Sequence, residues 1–410
     1  MTLSTEPRAL LLEDNVLQTE RGADPPAVHA VDRLQEAAIL AHASDIHLEP
    51  TPDGGRARQR VDGFLTEVRR FSPGLFAQIV SRVKLLAAMD IADKRQPQDG
   101  RYHIAQHGRS IDARVSSIPT IAGEKLVIRL LDVHARVPRL DRLGISDAVL
   151  EPYRRLVHAP HGFVVVCGPT GSGKTTTLYA SLAERNVEGQ HVCTVEDPVE
   201  IRMAGIAQVQ VNVKAGLSFA SALRSFLRAD PNVIMVGEMR DEETAGVAIS
   251  AALSGQLVMT TLHASNAVQA VERLSELGMR RQAIAAGLSG IVSQRLVREL
   301  CSTCRYPITA APETVAELGL RPQVTVYQAE GCERCSGGGY VGRTGIFEYL
   351  PVSDELREAI ARGASCATIA ALATERGYEP MLAEGIRRVL RGETSVSELR
   401  RVLVAADPAR

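Results

Sequence analysis

The chain has 410 residues and a formal net charge of −1, with 45% apolar and 23% charged residues. That length holds two or three domains, and the near-neutral balance gives no bulk electrostatic drive towards nucleic acid or anionic lipid. Only 4% of residues are aromatic and Trp is absent, which argues against a base-stacking surface; no apolar run approaches the roughly 20 residues that span a bilayer. The first 20 residues mix acids, bases and leucines and lack the basic start and apolar core of a secretory signal. A cytoplasmic protein is expected. Seven cysteines are present, and in a reducing compartment disulfides are not expected.

In chain order, residues 1–23 read as a leader, ended by Asp24-Pro25-Pro26. Val28, Val31, Leu34, Ile39 and Leu40 recur at helical spacing within 27–43. Residues 44–50 alternate as a strand does, Gly54-Gly55 marks a turn, and 56–65 reads as the returning strand. A helix over 74–89 follows, then strand-like pieces at 101–105, 109–116 and 124–131. Together these predict a small α+β domain over 24–135. The Arg-rich stretch from His134 to Leu143, broken by Pro138, reads as a linker, and we bound the linker at 136–146.

From 147 to 410 strands and helices alternate, which implies a mostly parallel sheet. Strands are expected at 163–167, 191–195, 207–211, 232–236 and 257–262, with helices capped by Ser218 and Asp241. After Arg298 the pattern changes. Two cysteine pairs mark a module at 296–348, and periodic apolar residues make 352–410 a helical tail.

The segment Gly168-Pro169-Thr170-Gly171-Ser172-Gly173-Lys174-Thr175 satisfies G-x-x-x-x-G-K-[ST] at every fixed position. An apolar, β-branched run (163–167) precedes it and a helix-forming run from Thr176 follows, which is the strand–loop–helix setting the motif needs. Glycines let backbone N–H groups turn towards a polyanion, and the helix N-terminus adds its positive end. Lys174 would reach the β- and γ-phosphates of ATP and Thr175 would hold Mg²⁺.

Two further apolar strands end in acids. Glu238 closes Asn232–Glu238, and Glu196 and Asp197 close the next acidic cluster, 194–200. Carboxylates at strand ends beside a phosphate loop are placed to position a metal and a water. A third strand ends at His263, which could sense the γ-phosphate by a hydrogen bond. Cys301-Ser-Thr-Cys304 and Cys332-Glu-Arg-Cys335 supply four thiolates in two pairs, suited to tetrahedral Zn²⁺ with 305–331 as a loop on a closed site. Four reduced thiols are the plain alternative.

The motifs together resemble those of the secretion and pilus-assembly ATPases. The resemblance covers about 24–405 and rests on Ala43–Pro50, Asp90–Arg101, Arg114–Thr120, Gly123–Leu131, the phosphate loop, the acidic cluster 194–200, Leu227–Asp241, the strand ending at His263, and Gly342–Glu348 after the second cysteine pair. It implies a RecA-like P-loop ATPase domain preceded by the α+β domain, with an inserted four-cysteine zinc module and the helical tail. It makes Glu238 the catalytic glutamate, sets Glu196 and Asp197 near Mg²⁺ and water, and makes Arg101 and Arg114 arginines that close on the nucleotide. Gln256 stands where the family usually has His, and Asn232 where an acid is common. The resemblance also implies a homo-hexamer that hydrolyses ATP to drive pseudopilus assembly in type II secretion. Inner-membrane platform proteins would be its partners, reached without direct membrane or nucleic-acid binding. A type IV pilus assembly motor is the nearest alternative. A RecA-like nucleic-acid translocase and a nucleotide-gated scaffold are more distant ones.

Overall fold

The computed structural model describes residues 26–106, 108–132 and 136–404. The expected leader, 1–23, and His134 at the start of the expected linker lie outside the described residues. The chain divides into two compact units, one of residues 1–135 with the short segment 331–338, the other of 136–330 with 339–410.

The first unit contains α1 (Pro26–Leu40), β1 (Asp45–Thr51), β2 (Gly54–Val61), β3 (Phe64–Phe71), α2 (Pro73–Leu86), β4 (Gln98–Gln106), β5 (Arg109–Thr120) and β6 (Gly123–Leu131). The strands form one sheet in the order β3-β2-β1-β6-β5-β4, antiparallel at every pairing. β5 alternates buried and half-buried residues along its length, as a strand with one covered face must. Ile46, Leu48, Ala57, Ala113, Val115 and Leu126 supply that face and pack with Val31 and Leu34 of α1 and Phe76 and Ile79 of α2. Each large side chain so buried contributes about 1.5–3 kcal/mol.

The opposite face is polar. Asp45, His47 and Glu49 of β1 lie in register with Arg60, Arg58 and Arg56 of β2. Burial alone would raise the Glu49 carboxyl, but hydrogen bonds from Arg58 (2.6 Å), Lys125 (3.0 Å) and Arg56 (3.0 Å) hold it at about 2. The returning strand expected over 56–65 is two strands. Asp62 (φ +48°) and Gly63 (φ +85°) turn the chain between β2 and β3, because Asp-Gly accepts the left-handed pair of angles a tight hairpin demands.

The second unit contains α3 (Asp147–Val157), β7 (Gly162–Cys167), α4 (Lys174–Arg185), β8 (Val192–Glu196), β9 (Ala207–Gln210), α5 (Phe219–Phe226), β10 (Val233–Val236), α6 (Glu242–Leu253) and β11 (Leu257–Leu262). It continues with α7 (Ala267–Glu276), α8 (Arg281–Gly287), β12 (Leu288–Leu300), β13 (Arg305–Thr309), α9 (Pro312–Leu318), β14 (Thr325–Ala329), β15 (Tyr340–Pro351), α10 (Asp354–Arg362), α11 (Cys366–Glu375), α12 (Met381–Leu390) and α13 (Val396–Leu399). The sheet order is β15-β12-β7-β11-β10-β8-β9, parallel except where β15 joins β12. Every residue of β7, β8, β10 and β11 is buried, since apolar clusters cover both faces. Ser218 and Asp241 cap α5 and α6 at the backbone N–H groups of Ser221 and Thr244.

Three features depart from the expectations. β12 and β15 are long strands of the main sheet, β15 at its edge and β12 next to it, so most of 288–300 and 340–351 belongs to the sheet rather than to an inserted module. Residues 305–331, expected as a loop, form the β13–β14 hairpin with α9 between its strands. The expected linker is anchored rather than free: Leu140 in its middle and Ile145 near its end are buried in the second unit's core. The tail is helical, as its periodicity predicts, and is pinned by Glu348. Its buried carboxylate accepts from the N–H of Ala267 (2.6 Å) at the start of α7 and of Met381 (2.8 Å) at the start of α12. Burial raises the Glu348 carboxyl despite these bonds and one from Tyr378.

Candidate active site

β7 delivers the chain to the phosphate loop and α4 takes it away. Gly168 (φ +152°) leaves the strand and Gly173 (φ +86°) is the left-handed residue that starts the helix. Both also need to lack a side chain. A Cβ at Gly168 would lie 2.6 Å from the Gln294 carbonyl oxygen, and one at Gly173 would lie 3.2 Å from Gln294 Nε2. Pro169, Thr170 and Gly171 form the exposed crest, Ser172 is buried, and Thr175 and Thr176 are half-buried on the first turn of α4. Lys174 Nζ is buried and donates to the carbonyls of Gly168 and Pro169, both at 2.9 Å. Burial lowers its pKa, against the pull of Cys167 and Glu238. The buried Ser172 hydroxyl has no protein partner. A loop folded over a buried lysine, with an unsatisfied hydroxyl beside it, fits a phosphate group.

The acids fall at the carboxyl ends of the parallel strands, where open α/β sheets bind ligands. Gly237 is held between neighbours: its N–H donates to Val195 O (2.8 Å) and its carbonyl accepts from Thr261 Oγ1 (2.6 Å). Glu238 therefore leaves β10 in a fixed position. Its carboxylate pairs with Arg240 at 2.5 Å, which raises the arginine's pKa. His263 follows β11, exposed, with its pKa lowered by burial and then by Lys174. Glu238 and Arg240 also act on His263, and Asp197 acts on Arg240. Lys174, Glu238, Arg240, His263 and Asp197 thus share one electrostatic neighbourhood.

Glu196 stands apart from Asp197, with which the sequence grouped it. It is only 2% exposed, and its two oxygens accept from the Tyr179 hydroxyl, Thr194 Oγ1 (2.5 Å) and Gln208 Nε2 (3.2 Å). The Tyr179 oxygen in turn accepts from the N–H groups of Glu200 (3.1 Å) and Ile201 (3.4 Å). Burial and the adjacent Glu196 raise the Tyr179 pKa. Asp197, one residue on, is exposed at the strand end.

Gln256 lies just before β11, at the end opposite His263, so about 20 Å of strand separates the two. The substitution there is remote from the phosphate loop. Asn232 opens β10 and accepts from His191 N–H at 2.7 Å. Arg101 and Arg114, in the first unit, face each other across β4 and β5, and Arg114 is likewise in register with Arg129 of β6. Arg129 in turn pairs with Asp45 of β1 at 3.2 Å.

The four cysteines of the two pairs gather with their sulfur atoms within 4.8 Å of one another. Cys332 and Cys335 Sγ are 3.8 Å apart, and Cys332 N–H donates to Cys335 Sγ at 3.1 Å. A tetrahedral ion with metal–sulfur bonds near 2.3 Å sets sulfur atoms about 3.8 Å apart, so this donor set fits a thiophilic metal. Cys167, by contrast, is buried in the sheet and its thiol is pushed up to about 12 by burial.

Arg240 and Gln294 were left unmarked by the motif. Arg240 sits inside the matched segment 227–241, two residues after Glu238. Gln294 announces itself only as part of a polar triplet, Ser293-Gln294-Arg295, between the apolar pairs Ile291-Val292 and Leu296-Val297.

A mostly parallel sheet with a phosphate loop, its lysine and a fixed carboxylate together at the carboxyl ends of its inner strands defines a P-loop ATPase. The family model described as Type II/IV secretion system protein matches residues 20–401, and the chain belongs to that family. It is 44% identical over 388 residues to the type II secretion system protein HxcR of Pseudomonas aeruginosa, covering 95% of this chain and 79% of the relative. It is 42% identical over 373 residues to the type IV pilus assembly ATPase PilB of Thermus thermophilus, covering 90% of this chain and 42% of the relative. In fold it is similar to the X-ray structure of the Legionella pneumophila ATPase DotB, with a TM-score of 0.67 at 22% identity, covering 95% of this chain and 98% of that one.

Proposed function

We propose that this chain is the ATP-hydrolysing motor of a type II secretion system, working as a hexamer on inner-membrane platform proteins to drive pseudopilus assembly. The observation that carries the reading is the phosphate loop with Lys174 beside Glu238 at the carboxyl ends of a single sheet's inner strands. The loop N–H groups and Lys174 bind the phosphates. Glu238 orients and activates the attacking water, and Arg240, its ion-pair partner, holds the carboxylate in place. Asp197 and His263 flank the reacting phosphate. Mg²⁺ held by Thr175 would neutralise charge on the β- and γ-phosphates.

Glu196 is assigned to holding α4 and the turn after β8, because its oxygens are engaged by Tyr179, Thr194 and Gln208. Arg101 and Arg114, opposite each other on β4 and β5, are the candidates for the nucleotide-closing arginines that the resemblance implies. Cys301, Cys304, Cys332 and Cys335 would hold Zn²⁺, which would tie their two chain segments together as a structural ion. No described helix is long and apolar enough to cross a membrane.

Lys174→Ala is expected to abolish ATP binding and turnover, and Glu238→Gln to keep binding while losing hydrolysis. Undiminished turnover in Lys174→Ala refutes the reading. In the source cell, loss of exoproteins with pili intact identifies type II secretion, and loss of pili alone identifies pilus assembly, the second reading, favoured by the PilB similarity.

A further inference from the structure

The phosphate loop is gripped from beneath by one side chain of a different strand. Gln294 of β12 is 1% exposed. Its Nε2 donates to Ser172 O at 2.6 Å, inside the loop, and its Oε1 accepts from Thr177 Oγ1 at 2.8 Å, on the first turn of α4. The contact is close on the loop side as well. Gly168 and Gly173, at the two ends of the loop, are where an added Cβ would meet the Gln294 carbonyl oxygen and Nε2. One amide thus clamps the buried part of the loop, at Ser172, to the helix that follows, through a donor and an acceptor used at once.

The clamp stands on a rigid base. β12 pairs in parallel with β7, the strand that feeds the loop, up to Ser293↔Cys167. Arg295, next along, is buried and donates to Ser265 O at 2.5 Å, two residues past His263.

We infer that Gln294 is a positioning residue of the nucleotide site, holding the phosphate loop in its binding geometry through Ser172 and Thr177. Gln294 touches no phosphate. It acts by keeping the loop N–H groups aligned before nucleotide arrives, so a loosened clamp lowers the fraction of binding-competent loops and raises the apparent dissociation constant in proportion. Because the loop is held alike in the ground and transition states, the loss falls on KM rather than kcat. The inference rests on the reading that ATP binds this loop.

The test uses the full chain and ATP. Thr177→Val keeps the side-chain shape but removes the donor to Gln294, and Thr177→Ser restores it. Gln294→Met keeps the length but removes both bonds. We expect Thr177→Val and Gln294→Met to raise KM for ATP about tenfold or more with kcat changed less than about threefold, and Thr177→Ser to stay near wild type. A merely structural role reduces the folded fraction, which lowers apparent kcat and leaves KM unmoved; that outcome overturns the inference. Should Gln294→Met not fold, the Thr177 pair decides alone. If Lys174→Ala loses ATP binding while these variants keep a normal KM, only the clamp is wrong. If Lys174→Ala still binds ATP, the reading of the loop itself fails.

Discussion

Glu196→Gln separates a scaffold from a catalyst. The substitution changes one oxygen to an NH₂ group at a site whose two oxygens accept from Tyr179, Thr194 and Gln208. Gln208 can no longer be accommodated together with the Tyr179 hydroxyl, which already accepts from two backbone N–H groups. At least one donor in this buried cluster loses its acceptor. Hydrogen bonds to a charged group contribute about 1.5–3 kcal/mol each, and an unsatisfied buried group costs about 1–3 kcal/mol. We expect a loss of about 2–4 kcal/mol, read as a lower urea midpoint at unchanged slope. ATPase assays on the folded variant are expected to give kcat within about fivefold of wild type, since no transition-state contact is removed. A fall of a hundredfold or more in kcat with stability intact would place Glu196 in the chemistry and refute the reasoning.

Other outcomes follow from the same geometry. Cys301→Ser removes one of four clustered thiols and is expected to reduce bound metal, measured by elemental analysis, from about one ion per chain to near none. Lys84→Met leaves the buried Glu124 without its 2.6 Å partner and is expected to cost about 3–5 kcal/mol in denaturant unfolding. Burial alone would raise the Glu398 carboxyl, but hydrogen bonds from Arg401 and Arg298 hold it at about 2, below its ordinary 4.5. A depressed carboxyl stabilises above the unfolded pKa and loses that effect as pH falls to the folded one. The stability gap between wild type and Glu398→Gln is therefore expected to be full at pH 6 and to close between about pH 4.5 and 2.

Much of this could be read before any coordinates, and the reasons differ by element. The phosphate loop, the caps at Ser218 and Asp241 and the strand over 163–167 carry local signals: glycines, cap side chains and an unbroken β-branched run. β12 carries none. Its Ser293, Gln294 and Arg295 are all buried, the last two bonded to distant backbone carbonyls, which interrupts the apolar pattern on which strand reading depends. The Asp62-Gly63 turn carries a local signal too, but it is a two-residue one inside a run that also satisfies a single strand over 56–65. Glu196 and Asp197 are neighbours in sequence, so only the fold could show that one points into a hydrogen-bonded cluster and the other lies exposed.

The Glu348 carboxylate bears on where this chain can be cut or exchanged. It tethers two helix starts more than a hundred residues apart in sequence, and one of its two backbone donors is Met381. A chain ending before α12 would strand a buried acid inside the ATPase core, so the last helices are a wall of the catalytic unit rather than an appendix. Grafting a tail from another motor would need to bring its own N–H group to that oxygen. Recombination between such genes should therefore succeed at junctions that keep β15 and α12 from the same parent.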